Sequence, residues 1–208
     1  RARRSDVASD PYPYLVIEDA LPPALCDALI ASYPAPDVVG AGARSNQRWS
    51  LPTAAALGSP GVSALWQDFV GYHASARFFS EVCDIFGAAM VRQFQGRFLD
   101  ESAVRQLVTG MRKRDSFKNV DLLLDAQIAG NTPVSAASSV KTVHVDSGNK
   151  LFTGLLYLRL PEDDSRRGIG LPGGQIEFEA EMRSGRQSRL LHQYAGKDRQ
   201  GQQGESGV

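Results

Sequence analysis

The chain has 208 residues, enough for one sizeable core or at most two small ones, and its 42% hydrophobic and 22% charged residues mark it as globular. Twenty-three Lys+Arg balance twenty-three Asp+Glu, and a formal net charge of zero removes the sequence-independent attraction that a general nucleic-acid binder needs. Two cysteines, Cys26 and Cys83, without paired spacing argue against a disulfide framework or a thiolate zinc site and for a reducing, cytoplasmic compartment; no stretch reaches the ~18 consecutive apolar residues of a membrane helix.

In chain order, residues 1–10 are basic and aperiodic and read as a mobile lead-in. Tyr14, Leu15, Val16 and Ile17 form a short β-prone run that predicts an early strand. Pro22 and Pro23 suit a first helical turn, and Leu25, Leu29 and Tyr33 recur every four residues behind them. The Ala-, Gly-, Pro- and Ser-rich stretch 34–60, with Arg44, Asn46, Arg48 and Trp49 embedded, reads as a long irregular connection. Ser59 or Ser63 is placed to cap a helix with Leu65, Trp66, Phe69, Val70 and His73 on one stripe. The next helix, roughly 74–94, turns Phe78, Phe79, Val82, Ile85, Phe86 and Met90 inward. After a mixed, charged excursion over 95–118 the period changes. VDLLLDAQIAG, KTVHVDSG, KLFTGLLYLRL and GQIEFEAEM read as four strands separated by turn residues. Helices first and strands afterwards predict an α+β domain over 11–182, its helices on one face of a β-sandwich or barrel, with a polar tail over 183–208.

The chemistry concentrates at Val143-His144-Val145-Asp146. On a strand, residues two apart share a face, so the His144 imidazole and the Asp146 carboxylate stand side by side. These are two of the three ligands of the facial triad that holds non-haem Fe(II) with positions left open for other groups. The bland alternative is a strand end with a solvated Asp. His73, on a half-apolar helical stripe, reads as a packed or capping residue, and Cys26 and Cys83 as small core residues.

The surroundings of His-x-Asp resemble the 2-oxoglutarate and Fe(II)-dependent oxygenases, in particular the prolyl-4-hydroxylase-like bacterial members. QIAGNTPVSAASSVKTVHVDSGNKLFTGLLYLR is similar to the family's central block, and Gly173-Gly174 in GGQIEFE to its Gly-Gly turn into the next barrel strand. Upstream, PYPYLVIEDALPPALCDALIASYP and LWQDFVGYHASARFFSEVCDIFG resemble the strand-plus-helix opening and the helical support, so the likeness runs from Pro11 to Glu179. It implies a double-stranded β-helix, that is, a jelly roll buttressed by N-terminal helices. It further implies iron on His144 and Asp146, with 2-oxoglutarate and O₂ as cosubstrates and ascorbate as an accessory reductant. Gln127 and Tyr157 would bond the cosubstrate or line its pocket; the alternative for each is packing or a satisfied interior polar group.

The resemblance also implies a distal histidine and a basic residue beyond it that pairs with the far carboxylate of 2-oxoglutarate. Only His192 follows, 46 residues after Asp146 but 18 after Gly174, with Arg199 or Lys197 as the carboxylate partner. QYAGKDRQGQQGESGV lacks the apolar alternation of a closing strand. The alternatives are that His192 is a surface residue and that the true distal histidine and last strands lie beyond this chain. The expected activity is hydroxylation of a small molecule or a side chain. A catalytically silent jelly-roll binding module and a cupin-like metal enzyme without 2-oxoglutarate are the competing readings. Neither the substrate nor the oligomeric state is legible.

Overall fold

A computed structural model describes residues 2–35, 37–38, 48–131, 147–158 and 174–183. In chain order the elements are α1 (Pro23–Ala31), β1 (Arg48–Leu51), α2 (Thr53–Ala56), α3 (Ala64–His73), α4 (Ala76–Gln93), α5 (Glu101–Arg105), β2 (Thr109–Met111), β3 (Leu122–Asn131), β4 (Lys150–Leu158) and β5 (Gly174–Met182). Helix starts follow local chemistry. Pro23 opens α1, where a missing N–H costs nothing. The Ser63 hydroxyl accepts from Trp66 N at the head of α3, Ser75 from Phe78 N at α4 and Asp100 from Ala103 N at α5.

The strands form one sheet. β5 lies between β3 and β4 and is antiparallel to both; the other side of β3 is shared end to end by β1, antiparallel along 128–131, and β2, parallel along 122–124. The register puts Leu122, Leu124, Ala126 and Ile128 of β3 on the same face as Met182, Ala180, Phe178 and Ile176 of β5, and all eight are buried. This apolar face receives the helices. His73 stacks on Phe178 with ring centroids 4.6 Å apart, and Phe79 lies nearly parallel to Phe152 at 6.5 Å. Trp66, fully buried, ties α3 to α1 by donating its indole N–H to Leu29 O at 2.9 Å and meeting Tyr33 edge-on.

The expectation of a mixed α and β chain with helices on one face of the strands holds. The described strands make a single open sheet rather than the two facing sheets of a jelly roll. The expected strand at 14–17 is absent. Tyr14 makes one isolated bridge with Ala8, and Val16 and Ile17 are exposed, because Pro11 and Pro13 remove ladder donors and no strand among the described residues lies alongside. The 34–60 connection is only partly irregular: Trp49 packs its ring on Gly130, which draws 48–51 into the sheet. Likewise the 95–118 excursion contains β2. The lead-in is held at Arg4, which forms an ion pair with Glu101 at 2.6 Å and donates to Asp84 O.

Candidate functional site

His144, Asp146, His192, Lys197 and Arg199 lie outside the described residues, as do Arg44, Asn46 and most of the expected KTVHVDSG strand. The flanks of the His-x-Asp segment are placed. The chain leaves the sheet at Asn131, beside Arg48 of β1, and returns at Ser147 at the opposite end, beside Met182 of β5. The return is firmly held. Lys150 N donates to Ser147 O at 3.0 Å and Met182 N to Asn149 O at 2.8 Å, while the Asn149 amide donates to Glu181 Oε1 at 2.8 Å.

From this turn β4 runs beside β5 within the sheet, whose second face is turned away from the helices. Period-two geometry assigns to that face Asp125 and Gln127 of β3, Glu177, Glu179 and Glu181 of β5, and Thr153, Leu155 and Tyr157 of β4. Gln127 and Tyr157 therefore share one face, with β5 between their strands, so about 10 Å separates the strands in the hydrogen-bonding direction. Gln127 donates to Glu179 Oε1 at 3.3 Å, whereas Tyr157 is 69% exposed.

The face is built on charge. Three glutamates two residues apart meet three cations from three different strands or strand ends. Arg48 pairs with Glu177 at 2.7 Å, Arg112 with Glu179 and, at 3.8 Å, with Glu181, and Lys150 reaches Glu179 at 2.9 Å and Glu177 at 4.0 Å. Glu179 at the centre is 3% exposed, so its ionised form depends on Arg112, Lys150 and Gln127 together. Opposite it in the register stands Asp125, 1% exposed. Its Oδ1 accepts from Thr53 N and Ala126 N, both at 3.0 Å, and among the described residues its Oδ2 has no hydrogen-bond partner. Burial pushes the Asp125 carboxyl above the usual carboxylate range, opposed by the Thr53 hydrogen bonds and the Arg112 charge.

Chemically this is a face that can orient a polar ligand through an amide and a phenol. Among the described residues no group of three or more His, Cys, Asp or Glu side chains is arranged to hold a metal ion. No family model matches the chain, and neither a curated protein nor a solved structure matches it.

His73, read from sequence as a packed residue, is one. Its Nδ1 lies 2.7 Å from Phe69 O, its ring is surrounded by Phe69, Tyr72, Phe78 and Phe178, and burial lowers its pKa. Cys83 is buried in the core, which pushes its thiol up to about 11, and Cys26 packs at the core's edge. Asp125, Arg112, Lys150 and the β5 glutamates belong to none of the metal- or cofactor-binding motifs in the sequence. The alternation Glu177-x-Glu179-x-Glu181 was a visible signal that one face of β5 is charged. The pairing of β3 with β5 that buries Asp125 against Glu179 carries no local signal.

Proposed function

We propose that this chain is an Fe(II)- and 2-oxoglutarate-dependent dioxygenase on a jelly-roll framework, hydroxylating a small molecule or a side chain. One observation carries the reading: His144-x-Asp146 immediately precedes a strand, β4, that lies in one sheet with the Gly-Gly strand β5 and the QIAG strand β3, the three segments on which the family resemblance rests. An imidazole and a carboxylate are a donor set suited to a ferrous ion, so His144 and Asp146 would hold it, with His192 as the one downstream histidine. When bound, iron with 2-oxoglutarate and O₂ supplies the oxidising power that converts a C–H into a C–OH. The chain's own contribution is orientation and shelter. Gln127 and Tyr157 present an amide and a phenol on the sheet face turned away from the helices, and the helices seal the other face with the Trp66 and Phe178 layer.

Anaerobic titration of the protein with Fe(II) and 2-oxoglutarate tests the reading. The expected result is the weak visible charge-transfer band of the chelate, present in the natural chain and lost in His144→Ala. A folded sample with no band, or a band that persists in His144→Ala, overturns it and leaves the silent binding module.

A further inference from the structure

At the end of the sheet where β4 begins, a cleft of about 830 Å³ opens between the C-terminal end of α4, α5, the loop leading into β3 and the end of β5. That volume lies within the roughly 300–1,000 Å³ of small-molecule sites. Its apolar lining comes from Phe98, Leu107, Val108 and Met182, of which Phe98 and Met182 are buried and Val108 is half-exposed. Its rim is basic: Arg97, Lys118 and Arg183 stand against one lining carboxylate, Asp121. Arg97 and Arg183 donate to neutral backbone carbonyls, of Arg183 and Phe117 respectively, which fixes the guanidinium groups without neutralising them. Asp121 accepts from Val108 N at 2.9 Å, so it is engaged in holding the cleft wall. Among the described residues none of the three cations pairs with a carboxylate within 4.0 Å, in contrast to the balanced charges of the sheet's polar face.

We propose that this cleft binds a small amphipathic anion with an apolar body. The inference rests on the cleft alone and is independent of the dioxygenase reading. An apolar lining rewards burial of a hydrocarbon body, and uncompensated, fixed guanidinium groups at the edge select an anionic head over a neutral or cationic one.

The test is direct binding to the metal-free full chain, so it does not depend on turnover. Isothermal titration with octanoate, octanol and octylamine compares three heads on one body. Octanoate is expected to bind about tenfold or more tighter than octylamine, as one fixed cationic contact requires. Arg97→Gln combined with Arg183→Gln should erase that preference, and Val108→Trp, a change at a half-exposed side chain, should abolish binding by filling the cleft, with circular dichroism confirming that both variants are folded. Equal affinity for octanoate and octylamine, binding unaffected by Val108→Trp, or no saturable binding of octanoate overturns the proposal. Iron titration of the same samples reports separately on the dioxygenase reading. A chain that binds octanoate in the cleft but forms no 2-oxoglutarate chelate loses that reading while keeping the cleft.

Discussion

Asp125 carries a buried carboxyl with one oxygen accepting from Thr53 N and Ala126 N and the other without a hydrogen bond among the described residues. Its raised pKa means that the folded state binds the proton more tightly than the unfolded one. Stability attributable to Asp125 is therefore fully present below the unfolded value of 3.8 and falls as pH rises through the elevated folded value. Asp125→Asn keeps the Oδ1 acceptor and removes the buried charge. The variant should be at least as stable as the natural chain at neutral pH, with its advantage in Tm shrinking as pH falls toward 3.8. An advantage independent of pH contradicts this assignment. His73 works with the opposite sign. Its pKa is lowered by burial among Phe69, Phe78 and Phe178, so stability is fully present above 6.5 and is lost as pH falls through the depressed folded value. His73→Phe retains the aromatic packing and should flatten the dependence of Tm on pH just below 6.5, as thermal denaturation across that window will show. The two residues differ in legibility for a physical reason. His73 shares a helical stripe with Trp66, Phe69 and Val70, which is a local pattern, whereas the environment of Asp125 is made by Thr53, 72 residues away.

β1 illustrates how a short element without local signal is recruited. Arg48–Leu51 has four residues in a Gly- and Pro-rich context, and what fixes it is Gly130 on the facing strand. A Cβ at Gly130 would lie 2.4 Å from Cζ2 of Trp49, so the indole sits where any larger residue's side chain would be. Gly130→Ala should displace Trp49 and destabilise the chain by about 1–3 kcal/mol, measured by urea denaturation, with a change in tryptophan emission from the native state. Trp49→Leu in the Gly130→Ala background should recover part of the loss. No recovery would mean that the backbone at 130, rather than the indole, is what cannot accommodate the methyl. The long elements were legible because each repeats its period over several turns or pleats. α3 and α4 follow the 3.6-residue stripe and β3, β4 and β5 the alternation, within two residues at their ends. β1 and β2, at four and three residues, are too short to display a period and exist because β3 offers them an edge. The Tyr14–Ile17 run failed in the other direction: a strong β propensity with no partner among the described strands does not make a strand.

For the molecule as a whole, a neutral charge balance conceals an internal separation. One face of the sheet is apolar and covered by helices; the other concentrates Glu177, Glu179 and Glu181 against Arg48, Arg112 and Lys150. Antiparallel sheets commonly leave their second face to water, yet Glu179 and Asp125 at the middle of this one are 3% and 1% exposed. The centre of the charged layer is thus buried while its margins keep solvent, and its members should not be energetically equal. Glu179→Gln removes the carboxylate shared by Arg112 and Lys150, and should cost about 1–3 kcal/mol, below the full worth of a buried pair because both cations keep some solvent. Glu177→Gln and Glu181→Gln, whose side chains are 19% and 28% exposed, should each cost about 1 kcal/mol or less. Urea denaturation of the three variants at low and at 0.5 M salt, roughly a 4 Å screening length, separates the cases, since salt should weaken the effect at 177 and 181 and leave that at 179 nearly unchanged. If all three losses are equal and vanish together in salt, the layer is a solvated surface. The sheet would then lack the sheltered centre, at Glu179, against which Gln127 is held to orient a cosubstrate.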